Sequence, residues 1–283
     1  MRVLSLFDGM SCGQIAMERA GIHVSKYFAS EIDLKAKAVT RANYPNTVHL
    51  GDVSDLKYSD YKDIELLLGG SPCQGFSRLG KKLNFDDPRS SLFFEFAWML
   101  QEIQPRYFLF ENVQMDKEVI DTISFNLDVD PITLNSALVS AQNRVRLYWT
   151  NIPNVGQPVD KNINLKDVIF EGLTDNHKLF DNPRGEYVDK LTFGAIRGRR
   201  KGGKYRKHLE CRDDKKCNTI TTSADTTVLA EGSKYRYLTV PEIERLQTVP
   251  EGYTGYVRDP SRLKMLGNGW TVDIIVHILK GMK

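Results

Sequence analysis

Cysteine is scarce in this 283-residue chain. Cys12, Cys73, Cys211 and Cys217 are too few and too scattered to staple a chain of this length. A disulfide framework is therefore excluded, and a reducing, intracellular setting fits. Long apolar runs are missing as well. None approaches the roughly 20 residues of a membrane span, so no membrane partner is expected. The opening MRVLSLFDGM lacks the apolar stretch of a secretory signal. There are no internal repeats and no low-complexity tracts. The net charge is only +3, so the chain as a whole does not announce a polyanionic ligand. Phosphate-cradling loops are missing too: Gly9 and Gly13 do not fit G-x-G-x-x-G, and no Gly-Lys-Ser/Thr follows. Pyrophosphate and triphosphate ligands are thus disfavoured. His208, Cys211 and Cys217 lie close together without a zinc spacing, so no metal is expected.

What is present is a 41% hydrophobic composition, enough for one large domain with a small insert. The organising stretch is Gly69-Gly70-Ser71-Pro72-Cys73-Gln74-Gly75-Phe76-Ser77. It follows the apolar run Ile64 to Leu68, which reads as a buried parallel strand. The glycine pair and Pro72 stop the strand and force a tight turn. Cys73 then sits at the carboxyl end of a strand, where open α/β sheets place their ligands. There it is either a nucleophile or a buried structural thiol.

The rest of the chain alternates in the same way. Val3 to Phe7 is a strand running through Asp8-Gly9 to a helix stopped by Gly21, the opening unit of a nucleotide-binding sheet. Tyr27 to Ser30 is a second strand ending in Glu31, an acid placed to accept ribose hydroxyls or to be solvated. Val48 to Leu50 leads to Asp52, which can read an adenine amino group or cap the next turn. Residues 78 to 88 are polar and aperiodic and read as a lid. Ser90 or Ser91 is placed to cap a helix from Leu92 to Ile103. Tyr107 to Phe110 is an apolar strand that delivers Glu111, and desolvation there favours the protonated form of a carboxylate. It is a candidate general acid, with a structural ion pair as the alternative. Strand alternation places Arg144 and Arg146 on one face, where they need anionic or carbonyl partners.

After Pro153 the composition turns polar. Residues 194 to 217 carry ten lysines and arginines against Glu210, Asp213 and Asp214. With four interspersed glycines and Tyr205, this reads as a pliable basic loop for a phosphate backbone, against a solvated loop. Thr239-x-x-Glu242 is a capping box. Gly267-Asn268-Gly269 reads as a loop opening the last helix, which returns towards the first strand.

In this order, Ser71-Pro72-Cys73-Gln74, Glu111-Asn112-Val113 and Gln142-x-Arg144-x-Arg146 resemble the DNA (cytosine-5) methyltransferase family over nearly the whole chain. The closest likeness is to small prokaryotic or phage members and to the catalytic core of eukaryotic de novo enzymes. The resemblance implies an α/β, Rossmann-like S-adenosylmethionine-dependent methyltransferase fold with a mixed sheet and a small target-recognition insert. Residues 1–153 and 237–283 would form the catalytic domain and 154–236 the insert. It implies methyl transfer from S-adenosyl-L-methionine to C5 of cytosine in double-stranded DNA, through a Cys73 adduct at C6 and base flipping. A tRNA cytosine methyltransferase is the alternative, and a non-catalytic homologue would lack Cys73, Glu111, Arg144 and Arg146. The catalytic set is those four residues.

By the same resemblance, Phe7, Asp8, Gly9, Ser11, Cys12, Gly13, Glu31, Ile32, Asp52, Val53, Pro72, Leu92, Asn268, Gly269 and Trp270 would bind the cofactor. Trp270 departs from the family's usual Gly-Asn-Ser-Val at the pocket wall. Ser77, Arg78, Gln142, Arg197, Arg199, Arg200, Lys204 and Lys207 would bind DNA. The implied setting is the cytoplasm of a prokaryote or phage-infected host, with a monomer or homo-oligomer acting on DNA and no metal.

Overall fold

Short apolar segments punctuated by glycine and acidic turns build a seven-stranded sheet. The computed structural model describes residues 1–72, 88–170, 172–174, 177–183, 187–201, 204–222 and 227–282, with the side chains of 88–91, 197–201, 204–206 and 227 left aside. The contacts divide the described chain into two units. The first comprises Met1–Asn135, Val145–Gln157 and Val272–Lys283; the second comprises Ser136–Arg144 and Pro158–Thr271.

In the first unit the strands are β1 (Arg2–Leu6), β2 (Lys26–Ser30), β3 (Val48–Gly51), β4 (Leu66–Gly69), β5 (Tyr107–Val113), β6 (Ile132–Asn135) and β7 (Val145–Thr150), in the order β3-β2-β1-β4-β5-β7-β6. β1 to β5 pair in parallel, and β7 runs antiparallel between β5 and β6. The expected mixed α/β sheet is thus what forms. All five parallel strands end on one edge, and β7 begins there because it runs the other way. That edge collects every strand-end residue of interest.

The helices of this unit are α1 (Cys12–Ala20), α2 (Leu34–Asn43), α3 (Pro88–Ile103), α4 (Lys117–Leu127) and α7 (Val272–Leu279). Of these, α3 starts earlier than expected: Pro88 opens it, so Ser90 and Ser91 lie in its first turn and do not cap it. Proline at a first helical position loses no hydrogen bond, because that N–H has no intrahelical partner. Phe93, Phe96 and Phe110 are fully buried, with Phe93 edge-on to Phe110 at 5.4 Å between centroids and Phe96 tilted against it at 4.8 Å. A Cβ on Gly69 would stand 2.6 Å from the Phe96 ring, so only glycine admits this helix against β4. The last helix does return to the start of the chain: it packs on α1, with Arg19 donating to Asp273 at 2.8 Å.

The second unit holds an antiparallel sheet of β8 (Phe180–Asp181), β9 (Val188–Lys201), β10 (Lys204–Cys211), β11 (Thr227–Gly232) and β12 (Lys234–Tyr237), ordered β10-β9-β11-β12-β8. Beside it lie α5 (Val240–Leu246) and α6 (Asp259–Asn268). The expected boundaries at 153 and 236 are drawn differently here. Residues 237–271 group with the insert, and one buried ion pair, between Arg236 on β12 and Glu242 on α5, crosses that boundary. Arg236 and Glu242 meet at 2.8 Å, both 1% exposed, and Arg262 meets the fully buried Glu244. The Thr239–Glu242 capping box forms as expected.

Candidate active site

The carboxyl edge of the first sheet carries two clusters. The first surrounds the β1–α1 turn. Phe7 and Ser11 are non-glycine residues in the left-handed region, at φ 57° and 61°, a conformation costing of order 1–3 kcal/mol each and concentrated at functional sites. Gly9, at φ 59°, donates its N–H to Glu31 Oε2 at 2.8 Å, and Glu31 Oε1 accepts the Asp33 N–H at 2.7 Å. Glu31 is therefore fixed by backbone at the tip of β2, not solvated freely. Ile32 and Leu34, immediately after it, are 68% and 73% exposed. Bare aliphatic side chains beside an oriented carboxylate suit an adenosyl group, which presents an apolar ring face and ribose hydroxyls. Asp52 Oδ1 caps the next turn, accepting from Ser54 N at 3.0 Å, and Val53 is buried behind it. Cys12 and Gly13 are buried in the first turn of α1.

Asp8 sits between these groups. Burial pushes its carboxyl up to about 6, against the lowering hydrogen bonds from Ser11, Tyr27 and Ser5, and with a smaller raise from the Glu31 charge. Tyr27 was not singled out in the sequence. The available signal was a phenol within an apolar strand, since a buried hydroxyl requires a partner.

The second cluster lies at the ends of β4 and β5. Glu111, Asn112 and Val113 belong to β5 itself. Glu111 is 9% exposed, and Arg146 Nε lies 3.2 Å from its Oε1. Register explains the meeting: Val113 pairs with Arg146 and Glu111 with Tyr148 across β5 and β7, so Arg146 and Glu111 share one face two positions apart. Arg146 also donates through Nη1 to the Val145 carbonyl at 2.8 Å. Asn112 is 2% exposed, and its amide lies 3.4 Å from both the carbonyl and the hydroxyl of Ser71. It ties Ser71, one residue before Pro72, to β5, a role not read from the sequence. Pro72 is half-buried. Cys73, Ser77, Arg78 and the lid assigned to 78–88, as far as residue 87, lie outside the described residues. Leu92 is half-buried on α3.

The second unit changes the reading of several residues. Arg144 precedes β7, so strand alternation does not extend to it. It is 3% exposed and donates through Nη1 to the Ile220 carbonyl at 3.0 Å, and through Nη2 to those of Gly267 and Gly269 at 3.2 and 3.0 Å. A guanidinium held by three backbone carbonyls acts as a clamp within this unit. Gln142, expected at DNA, is fully buried. Its amide donates to Leu246 O and Gln247 Oε1, and its oxygen accepts the Ile220 N–H. Gly267 and Asn268 are the last residues of α6, not a loop. A Cβ on Gly267 would lie 2.4 Å from the Thr221 backbone, so this glycine serves close packing. Asn268 is exposed, and Gly269 and Trp270 are half-buried.

The basic segment is a hairpin, not a pliable loop. β9 and β10 pair from Gly194–Cys211 to Lys201–Lys204. Gly194 is needed for contact: a Cβ there would meet Leu209 at 2.8 Å. The register sets Arg199 opposite Arg206 and Lys201 opposite Lys204. Lys207 is exposed. Lys216 is not available to a ligand, since its ammonium donates to the carbonyls of Ala137, Ser140 and Ile163 at 2.6–3.1 Å. Arg212 is likewise held by Asp214. Among the described residues no cluster of histidine, cysteine and carboxylate side chains could hold a metal ion, and no helix is long and apolar enough to cross a membrane.

A family model for the C-5 cytosine-specific DNA methylases matches residues 1–283, the whole chain. The chain belongs to this family and is a DNA (cytosine-5) methyltransferase. It is 30% identical to the type II methyltransferase M1.ScrFI of Lactococcus lactis subsp. cremoris, over 99% of this chain and 77% of that protein. Two solved structures share the fold. A DNA modification methyltransferase encoded within an E. coli prophage superposes with a TM-score of 0.69 at 22% identity, covering 100% of this chain and 98% of the other. Spodoptera frugiperda DNMT2, in mutant form, gives 0.70 at 19% identity over 99% of both. The family and these neighbours are S-adenosylmethionine-dependent methyltransferases.

Proposed function

We propose that this chain methylates C5 of a flipped-out cytosine in double-stranded DNA, with Cys73 as nucleophile and Glu111 and Arg146 as the groups that hold the base. The observation that carries the reading is the Arg146–Glu111 pair at the sheet edge, one strand from the Ser71-Pro72 turn that Asn112 anchors. S-adenosyl-L-methionine, when bound, supplies an electrophilic methyl group on a positively charged sulfur.

Cytosine C5 is a weak nucleophile. Addition of the Cys73 thiolate to C6 makes C4–C5 an enamine, so covalent catalysis splits a hard step into easier ones. Glu111 shares a proton with ring N3 and so stabilises the adduct, while Arg146 donates to O2 and orients Glu111. Once C5 carries the methyl group, its proton leaves to a base, the C6–S bond breaks, and the thiolate returns. These ring atoms are shielded in a duplex, so the base must leave the stack at a cost of a few kcal/mol.

Phe7, Gly9, Glu31, Ile32 and Asp52 form the cofactor side, supported by the oriented Glu31 carboxylate and the exposed Ile32. The β9–β10 hairpin, with Arg197, Arg199, Arg200, Lys204 and Lys207, is the DNA side, supported by the density of lysine and arginine along two paired strands. The test is transfer of tritiated methyl groups to double-stranded DNA and to tRNA side by side. Label in DNA at C5 supports the reading; label in tRNA alone overturns it.

A further inference from the structure

In the β1–α1 turn one carboxylate gathers hydroxyls from separate elements, beside the Gly9 N–H that Glu31 accepts. Tyr27 Oη, from β2, donates to Asp8 Oδ1 at 2.7 Å, and Ser11 Oγ donates to Oδ2. Ser11 is anchored in turn: Thr40 Oγ1, from α2, donates to its oxygen at 3.3 Å, and Gln14 Nε2 donates at 3.2 Å. The same Gln14 amide reaches Thr47 Oγ1 at 2.9 Å. Tyr27 is 3% exposed, and Ser11 and Thr40 are fully buried. Separate stretches of the first unit thus converge on Asp8, which lies between Phe7 and Ser11, the two non-glycine residues in strained backbone.

We propose that Asp8 is a positioning residue for cofactor binding: its ionised form holds the Phe7–Ser11 turn in the shape that receives the cofactor, so that binding requires loss of the Asp8 proton. This rests on the reading of that turn as the cofactor side of the site. An ionised carboxylate accepts from both hydroxyls at once. A protonated one must turn its own O–H towards a hydroxyl that is already donating, and one anchor of the turn is lost. The groups facing Asp8 are the hydroxyls of Ser5 on β1, Ser11 and Tyr27, and the carboxylate of Glu31; those described as acting on it include no cation. Burial places its titration at about 6, inside the working range of an intracellular enzyme.

The experiment is calorimetric titration of the full chain with S-adenosylmethionine, without DNA, across about pH 5 to pH 8. Wild type should bind with constant affinity at the alkaline end. Below the inflection its affinity should fall by close to tenfold per pH unit, the slope of one linked proton. Tyr27→Phe removes a hydrogen bond to the charged form, so the inflection should move to higher pH. Asp8→Asn should show no inflection. A wild-type affinity independent of pH, an inflection retained in Asp8→Asn, or one unmoved in Tyr27→Phe would each overturn the proposal. Absence of binding at the alkaline end would instead remove the cofactor reading of the turn, and this proposal with it. A purely structural role for Tyr27 would weaken binding at every pH without moving the inflection.

Discussion

Arg146 Nε lies 3.2 Å from Glu111 Oε1, and both side chains are nearly buried at the sheet edge where β7 begins beside the end of β5. An ion pair so placed orients two groups towards one substrate while neutralising each other's charge in a poorly solvated site. Glu111→Gln keeps the shape but cannot pass a proton to N3. Its kcat should fall by roughly 10²–10⁴-fold, the usual contribution of general acid catalysis. The dissociation constant for S-adenosylmethionine should stay within about twofold, because the lost interaction belongs to the transition state. Normal turnover in single-turnover assays would remove Glu111 from the mechanism.

Cys73 is assigned by motif and by the anchoring of the turn that leads to it. DNA carrying 5-fluorocytosine in place of cytosine should trap wild type as a complex that survives denaturing electrophoresis. Fluorine at C5 cannot leave as a proton, so the thiolate cannot be released. Cys73→Ser should give no such band. Methylation by wild type without any trapped complex would refute the covalent route.

Arg144 invites the opposite test. Its two terminal nitrogens serve the carbonyls of Ile220, Gly267 and Gly269. Arg144→Met strands those buried acceptors, and the loss should be about 1–3 kcal/mol of stability, read by urea denaturation. Corrected for folded fraction, the rate of trapping on 5-fluorocytosine DNA should remain near wild type. Full stability with abolished trapping would place Arg144 in the chemistry after all.

The hairpin yields a prediction in which stability and binding move apart. Arg199 stands opposite Arg206 in the β9–β10 register. Arg199→Ala lowers the charge of a strongly basic segment, so the protein should stay within about 0.5 kcal/mol of wild type in stability. DNA affinity should nevertheless fall, and if Arg199 touches phosphate the slope of log affinity against log salt should drop by about one. Equal losses on cognate and scrambled duplexes indicate phosphate contact. A loss of about 1–3 kcal/mol confined to the cognate duplex indicates a base edge. Unchanged binding of both duplexes at every salt concentration would make the hairpin a solvated ribbon.

How much of this was legible in the chain alone depends on the range of the interactions involved. The strands that begin the chain, the apolar strands leading to Ser71 and Glu111 and the capping box at Thr239 follow from neighbouring residues, through apolar runs and hydrogen bonds within three or four positions. The motifs at Cys73, Glu111 and Arg146 are local for the same reason, and they carried the family. Tertiary structure decided what depends on distant partners. It gave the Arg144 guanidinium to carbonyls at Ile220, Gly267 and Gly269, more than seventy residues away in sequence. It buried Gln142, withdrew Lys216 into a cage of carbonyls, and paired a seemingly pliable basic segment into two strands. It also gathered Tyr27, Ser11 and Thr40 around Asp8. Backbone acceptors and hydroxyls are present at every stretch of any sequence, so which of them a given charge will meet is set only when the chain folds.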